Sequence, residues 1–416
     1  MLKLHRDYRI TGIISIVITA CSTVAAIYAH IRWSRYRRNQ QKQSAYLELI
    51  GKTPMVRLSH ASQLTGCNIF VKMECHNPGG TGKDRAVKSM LKSFQSRNVL
   101  KENGIVVEGT SGSTGISLAC LCQAMKYSLH IVMPDDQSTE KQRLLQRLGA
   151  IVHIVPCCAI SNPNHYVNTA KRLAKEINGV FINQFENLDN YIIHEIETGP
   201  EIWQQTNGQI DAFVMSAGTG GTIAGVSRYL KSRRASIQVI LADPQGSSLY
   251  SRVTHGVCFT SQQTERRVRK HRYDSIVEGV GLDRITANFE RALIDRGERV
   301  SDEEVLHMAH WLLQTEGLFV GSSSSLNVVA ACRVARQLGP GHTIVTIICD
   351  SGQRHLSRFW NPDYVREYGL IWPLLQSTAI INSDKRCSSE ENHDDPKQSL
   401  VNEPAEHHLA LPVCFL

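Results

Sequence analysis

The 416-residue chain lacks the spacings that mark several common kinds of site. No two of its 12 cysteines have C-x-x-C spacing, and its 17 histidines form no metal-ligand cluster, so we expect no metal site. Cysteines within apolar stretches, such as Cys120, Cys122, Cys332 and Cys349, are typical of buried reduced thiols. The pattern therefore favours a reducing location over a disulfide framework.

The chain also lacks a repeat of fixed period and any motif for nucleic-acid recognition. Its formal net charge is +8, and much of the excess lies in residues 32–42 and 264–272. A basic patch can bind nucleic acid, but no recognition motif accompanies either stretch, so we expect no nucleic-acid partner. The length is sufficient for two packed domains with extensions.

Residues 10–31 contain no Asp, Glu, Lys or Arg. As a helix this segment would extend roughly 33 Å, enough for a bilayer core. The denser basic cluster follows it, so we predict a single-pass anchor with the C-terminal bulk of the chain in the cytosol. The moderate hydrophobicity favours the mitochondrial outer membrane, with the endoplasmic reticulum as the alternative. A buried soluble helix and a cleaved secretory signal are the other interpretations.

Composition divides the chain into three parts. Residues 1–44 are the predicted anchor and its basic flank, residues 45–375 the folded domain, and residues 376–416 a polar tail. The tail has few large apolar side chains, so we expect it to be disordered.

Between residues 45 and 375, short β-rich runs alternate with helical patterns. Helices are expected from about Lys83 and Gly115. Strands are predicted at residues 68–73, 105–108, 130–133, 150–155, 211–215, 239–242 and 343–349. This alternation predicts an α/β fold with parallel sheets covered by helices on both faces. Ligands of such sheets bind in loops beyond the carboxyl ends of the strands.

The first unusual loop, residues 77–85, is rich in glycine and places Lys83 at the start of a helix. The helix dipole favours the neutral amine there, and a neutral amine attacks an aldehyde. The alternative is a surface lysine after a flexible turn. A P-loop is excluded, because Asp84 stands where that motif needs Ser or Thr.

Two further loops lie between a predicted strand and a predicted helix. Residues 109–115 offer hydroxyl and N–H groups that suit a carboxylate, although a capped helix with a polar turn is the alternative. Residues 218–222 combine three glycines with two threonines, which can wrap a phosphate. An amine, a carboxylate seat and a phosphate cradle are the three requirements of pyridoxal 5′-phosphate (PLP) chemistry on amino acids.

These loops resemble those of the cysteine synthase and cystathionine β-synthase group of fold-type II PLP enzymes. The resemblance extends from about residue 47 to 368. Its other motifs lie at residues 51–54, 183–185, 198–203, 278–281, 316–323 and 350–354. It implies a tryptophan synthase β-like fold of two three-layer αβα subdomains with the active site between them. It also implies a smaller mobile subdomain at about residues 86–188, and a homodimer.

The resemblance also implies roles for individual residues. Lys83 resembles the lysine that forms a Schiff base with PLP, and Ser323 the group that faces the pyridine nitrogen. The substrate-binding residues would be Thr110, Ser111, Gly112, Thr114 and Gln184. The phosphate-binding residues would be Gly218, Thr219, Gly220, Gly221 and Thr222. Ser113 stands where the family usually has an Asn that contacts the cofactor ring, which leaves the rate and the preferred substrate open.

The resemblance implies a β-replacement that makes L-cysteine from O-acetylserine and sulfide. The same scaffold would serve for cystathionine synthesis or cysteine desulfhydration. About 40 residues follow the core, too few for the regulatory domain pair of cystathionine synthases, which favours the first activity. A membrane-tethered scaffold or regulator with little catalysis is the alternative of another class.

Overall fold

The computed structural model describes residues 45–110, 112–259 and 275–373, together with helical residues 23, 24, 27, 28, 30 and 31. Within these ranges, no helix combines the length and the hydropathy that a bilayer crossing requires. Most of the predicted anchor at residues 10–31 lies outside the described residues, as does the whole predicted tail at residues 376–416.

The strands of the described residues form two sheets. They are β1 Met55–Arg57, β2 Asn68–Met73, β3 Ile105–Gly109, β4 Ser128–Pro134, β5 Ile151–Val155, β6 Val180–Phe181, β7 Ala212–Ser216, β8 Gln238–Pro244, β9 Arg296–Val300 and β10 Thr343–Ile348. The larger sheet has the order β1-β2-β10-β7-β8-β9, and the smaller has the order β5-β4-β3-β6. The smaller sheet lies within the segment 86–188 that was expected to form the smaller subdomain.

All strand pairs are parallel except one. β1 pairs antiparallel with β2, with Met55 opposite Lys72, so the larger sheet is mixed. The sequence had predicted parallel sheets throughout. The physical reason is the short connection between the two strands. A parallel neighbour needs a crossover of about a dozen residues or more, whereas this link is little longer than the helix Ser59–Thr65.

Helices separate most of the strands. They are α1 Ser59–Thr65, α2 Lys83–Ser96, α3 Ser113–Met125, α4 Thr139–Arg147, α5 Tyr166–Glu176, α6 Asp189–Ile193, α7 Gly199–Gln205, α8 Gly221–Arg233, α9 Leu249–His255, α10 Asp302–Glu316, α11 Ser322–Leu338 and α12 Pro362–Glu367. A π-helical segment, His194–Thr198, joins α6 to α7. The helix predicted from Lys83 begins at that residue, and the helix predicted from Gly115 begins two residues earlier.

Each sheet is buried on both faces. In β7, Val214 belongs to the core formed with α10 and α11, whereas Phe213 belongs to the core formed with α8. In β4, Ile131 packs with α2 and α3, and Val132 packs with α5. Because successive side chains of a strand point to opposite faces, helices cover both sides. This confirms the two three-layer αβα units.

Candidate active site

A cavity of about 670 Å³ opens where several strands end. The loops after β3, β7 and β10 reach it, as does the start of α2. Its walls include Lys83, Thr110, Gly112, Ser113, Thr114, Gln184, Gly218, Thr219, Gly220, Gly221, Thr222 and Ser323. Ser111 lies outside the described residues. The structure therefore brings together all the other residues that the sequence analysis predicted for the site.

Lys83 lies at the first position of α2 and lines the cavity. Within the described part of the chain, its amine has no hydrogen-bond or ion-pair partner. Lys141, the other lysine of the cavity lining in the described structure, forms an ion pair with Glu278 at 2.9 Å. Lys83 is therefore available to react with a ligand.

Hydrogen bonds from buried side chains hold the loop after β3 in place. The Thr114 hydroxyl donates to Gln184 Oε1 at 2.5 Å, and Gln184 Nε2 donates to the Gly109 carbonyl at 3.2 Å. The buried Glu108 carboxyl accepts from the backbone N–H of Gly109 at 3.0 Å and of Gln184 at 3.3 Å. Burial raises the pKa of Glu108 to about 8. These bonds fix the predicted carboxylate seat.

In the loop after β7, neighbouring residues lie too close to two of the glycines to leave room for a side chain there. Gly220 has φ of 83°, and a Cβ there would lie 2.5 Å from Phe289 Cα. At Gly218 a Cβ would lie 2.3 Å from the Gly279 carbonyl oxygen. At the start of α8, the Gly221 N–H donates to Thr219 Oγ1 at 3.4 Å, and the N–H groups of Thr222 and Ile223 have no partner among the described residues. Free N–H groups at a helix start suit a phosphate.

Ser323 lies in the first turn of α11 and is buried beside Cys349 at the cavity wall. Burial raises the pKa of the Cys349 thiol to about 11, so this cysteine is a neutral thiol. At the end of β7, the buried Ser216 hydroxyl has no partner among the described residues. Buried hydroxyls are usually paired, so this one suits a bound polar group.

Five charged residues that were not among the predicted site residues form a rim network on one side of the cavity. Glu278 Oε2 lies 2.9 Å from both Lys141 Nζ and His355 Nδ1, and its Oε1 lies 3.2 Å from Arg358 Nη1. Asp350 Oδ2 lies 3.1 Å from His355 Nε2. Glu278, Asp350 and His355 fall within or beside motifs of the family resemblance, and this position in the sequence could have identified them as site residues. No sequence signal marked Lys141 and Arg358.

The rim network has strong electrostatic effects. Burial alone would raise the pKa of Glu278, but Lys141 and His355 hold it well below its usual range. Burial alone would lower the pKa of His355, but Asp350 and Glu278 raise it to about 9. The network therefore holds charged groups at the cavity edge at neutral pH.

A family model described as pyridoxal-phosphate dependent enzyme matches residues 46–350. Cysteine synthase 2 of Schizosaccharomyces pombe is 49% identical over 347 residues, which cover 80% of this chain and 88% of the relative. A putative mitochondrial cysteine synthase of Saccharomyces cerevisiae is 44% identical over 83% of this chain and 93% of its own length. A cystathionine beta-synthase of Apis mellifera is 34% identical over 80% of this chain and 64% of its own length.

Two solved structures share the fold. An O-ureido-L-serine synthase superposes with a TM-score of 0.67 at 28% identity, over 76% of this chain and 93% of the other. The O-acetylserine dependent cystathionine beta-synthase from Helicobacter pylori has a TM-score of 0.66 at 31% identity, over 75% and 97%. These likenesses confirm the fold-type II assignment. With Lys83 and the glycine-rich loop at residues 218–222 in one cavity, the chain belongs to the pyridoxal-phosphate dependent enzyme family, is homologous to cysteine synthases and cystathionine beta-synthases, and uses PLP as its cofactor.

Proposed function

We propose that this chain is a cysteine synthase, which replaces the acetoxy group of O-acetylserine with sulfide to give L-cysteine. The observation that carries the proposal is the gathering of the unpaired Lys83 amine, the seat at residues 110–114 and the loop at residues 218–222 around one cavity. Several relatives named cysteine synthase are 43–49% identical to this chain over three quarters or more of its length.

Lys83 and the loop after β7 would hold the cofactor. The Lys83 amine would hold the aldehyde carbon, and the N–H and hydroxyl groups of residues 218–222 would hold the phosphate. When bound, PLP supplies a conjugated ring that withdraws electrons from the substrate α-carbon. Lys83 is also the proposed base for the α-proton of the substrate, because its amine is unpaired in the described structure and lines the cavity.

The loop after β3 would bind and orient the amino-acid substrate. Thr110, Ser111, Gly112 and Thr114 offer hydroxyl and N–H donors to its carboxylate, and the Gln184 amide, already bonded to Thr114, completes the seat. Fixing the carboxylate would restrict the orientations that the α-carbon can take relative to Lys83.

Ser323 limits the reactions that the site favours. By its proposed position its hydroxyl faces the pyridine nitrogen, and a neutral hydroxyl cannot hold that nitrogen protonated as a carboxylate would. The ring is then a weaker electron sink, which favours prompt β-elimination and replacement over transamination or racemisation.

Steady-state assays of the purified full chain test the proposal. O-acetylserine with sulfide is expected to give the highest kcat/KM. Cystathionine synthesis is the second candidate, because an O-acetylserine dependent cystathionine beta-synthase shares the fold. A higher kcat/KM with serine and homocysteine would favour it, and sulfide release from cysteine alone would favour desulfhydration. Failure to bind PLP would overturn all three and leave the scaffold alternative.

Lys83→Met tests the role that the proposal gives to the lysine amine. It is expected to abolish turnover and the visible absorbance of the covalently bound cofactor, because no other cavity-lining lysine in the described structure is unpaired. Lys101→Met, on an exposed loop, is the control and should retain both. Undiminished turnover by Lys83→Met would show that the amine was wrongly assigned.

We infer that residues 10–31 anchor the protein in the mitochondrial outer membrane with the catalytic domain in the cytosol. The uncharged segment and its basic flanks support this, and the endoplasmic reticulum is the alternative. A reporter fused to residues 1–45 is expected at the mitochondrial surface and sensitive to added protease. A diffuse cytosolic signal would exclude the anchor.

We also propose a homodimer, as the family resemblance implies. Light scattering of the purified protein is expected to give about twice the chain mass of 46.5 kDa. A mass of one chain at micromolar concentration would contradict it.

A further inference from the structure

A second layer of side chains lies behind the phosphate loop and does not line the cavity. It is formed by α6 and the following π-helix, whose Asn190 and His194 are both almost completely buried. Asn190 contacts Thr219, and His194 contacts Thr222. The two contacted threonines are the two hydroxyl-bearing members of the loop at residues 218–222, so each of them has one partner in this layer.

Asn190 determines the direction of the Thr219 hydroxyl. Asn190 Nδ2 donates to the Gln184 carbonyl at 2.8 Å, which identifies this atom as the amide nitrogen. The same nitrogen lies 3.0 Å from Thr219 Oγ1, so the hydroxyl oxygen is the acceptor in that contact. Its own proton remains free to donate, and Thr219 lines the cavity. An anion in the cavity can accept it.

His194 acts on Thr222 in the same way. Burial lowers the pKa of His194 to about 3, so the ring is neutral and carries one N–H. Its Nδ1 lies 2.9 Å from Thr198 Oγ1, and its Nε2 lies 3.3 Å from Thr222 Oγ1. Thr198 is fully buried, and no other acceptor for its hydroxyl proton lies among the described residues.

Thr198 therefore selects the tautomer of His194. Leaving its buried hydroxyl proton without an acceptor would cost free energy, so Thr198 donates to Nδ1. Nε2 then carries the ring proton and donates to Thr222 Oγ1. The Thr222 hydroxyl accepts that bond and keeps its own proton for the cavity.

We propose that Asn190 and His194 are positioning residues that orient the hydroxyl protons of Thr219 and Thr222 toward the phosphate of the bound cofactor. The inference rests on the proposed function of residues 218–222 as the phosphate-binding loop. Two hydroxyls that are already oriented lose little rotational freedom on binding, and each gives a charge-assisted bond.

The packing of α8 against this layer supports the proposal. A Cβ at Gly225 would lie 2.2 Å from the Tyr191 carbonyl oxygen and 2.6 Å from His194 Cβ. The glycine thus lets the helix that starts at the phosphate loop approach the π-helix closely enough for the contact between His194 and Thr222. π-helical segments are often found at functional sites.

Variants of His194 test the inference through the affinity of the apoprotein for PLP. His194→Phe keeps a planar ring but loses both hydrogen bonds, and it is expected to weaken PLP binding about tenfold or more. His194→Gln can place an amide donor near the former Nε2 and is expected to stay within about threefold of the wild type. Asn190→Ala is expected to act like His194→Phe.

His310→Phe is the matched control. His310 is also a buried histidine, but it packs against Trp360 and Trp372, and the cavity does not include it. It is expected to leave PLP affinity unchanged. Circular dichroism confirms that each apoprotein is folded before PLP is added. Equal PLP affinity of wild type and His194→Phe would overturn the inference, as would equal losses in His194→Gln and His194→Phe.

Nitrogen NMR of histidine-labelled holoenzyme gives a second readout that does not depend on any variant. The His194 ring is expected to be neutral from about pH 6 to 9, with the proton on Nε2. A proton on Nδ1 would overturn the inference even if the variants lost affinity. If the wild type bound no PLP at all, the proposed function would fail first and the inference with it.

Discussion

Lys83 differs from Lys72, Lys88 and Lys141 in having no partner for its amine among the described residues. Lys72, Lys88 and Lys141 each lie within 3.2 Å of a carboxylate, whereas the Lys83 amine lines the cavity. An amine that is held in an ion pair is poorly placed to attack an aldehyde in the cavity. The assignment of the reactive amine therefore follows from the ion pairs of its neighbours as much as from its own position.

Ser113 stands where the family resemblance implies an Asn. It lines the cavity at the first position of α3. Ser113→Asn is expected to tighten PLP binding about tenfold, because the longer amide regains a hydrogen bond worth roughly 1–3 kcal/mol. Fluorescence titration of the apoprotein measures this, with the exposed Ser232→Asn as control. Unchanged affinity would show that the serine already satisfies the ring oxygen.

His355 makes the folded state sensitive to alkaline pH. Its pKa of about 9 lies above the ordinary value of 6.5 because of Asp350 and Glu278, against the effect of burial. A raised histidine pKa stabilises the fold fully below pH 6.5, and the stabilisation is lost as pH rises through 9. The shift corresponds to roughly 3 kcal/mol.

Urea unfolding of wild type and His355→Gln is expected to show a stability gap that is large at about pH 6 and nearly closed at about pH 10. The pKa of Arg358, another cation of the rim network, is raised above its ordinary value, so this guanidinium stays charged over the whole range. The exposed His76→Gln is the control and should give no such gap. A gap that did not depend on pH would contradict the proton linkage.

At the scale of elements, close contact between α8 and the π-helix holds the phosphate loop in place. Gly225→Ala is expected to destabilise the protein by roughly 1–3 kcal/mol, because its Cβ would overlap backbone atoms of Tyr191 and Glu195. Urea unfolding measures the loss. Ser232→Ala, on the exposed side of the same helix, should change stability by less than about 0.5 kcal/mol.

The sequence predicted seven strands close to their observed bounds and missed three. The missed strands β1, β6 and β9 all lie at sheet edges. An edge strand needs no continuous apolar run, and β9 is largely polar with one buried residue, Val300. The signal used for the central strands was therefore absent from these three segments. β5 is also an edge strand, but its sequence contains enough apolar residues for the same signal to predict it.

At the scale of the whole molecule, the rim network joins the unit of the smaller sheet to the unit of the larger one. Lys141 comes from α4 beside β5, whereas Glu278 and His355 belong to loops of the larger unit. Ser357 also donates to Glu140 across the same gap at 2.5 Å. Movement of the smaller unit on substrate binding stays a prediction, and these contacts are the ones it would have to break.

Glu278→Gln is expected to destabilise the protein by roughly 3–5 kcal/mol, since Lys141 and Arg358 lose their carboxylate and the buried His355 keeps only Asp350. Lys141→Met should cost less, because Glu278 keeps His355 and Arg358. Chemical unfolding compares both with Asp363→Asn, which breaks an exposed pair with Arg366 and should cost less than about 1 kcal/mol. Equal losses in all three would contradict the special role of Glu278.

The sequence by itself determined the α/β class, the helix that begins at Lys83 and the positions of the two loops rich in glycine and hydroxyl groups. These features are local: glycines, hydroxyls and a lysine stand together at the ends of strand patterns, and backbone rules act over a few residues. Only the tertiary structure decided the rim network and the layer behind the phosphate loop. Glu278 lies 137 residues from Lys141, and His194 lies 28 residues from Thr222. Such contacts exist only once helices have packed on both sheets, so no local sequence pattern predicts them.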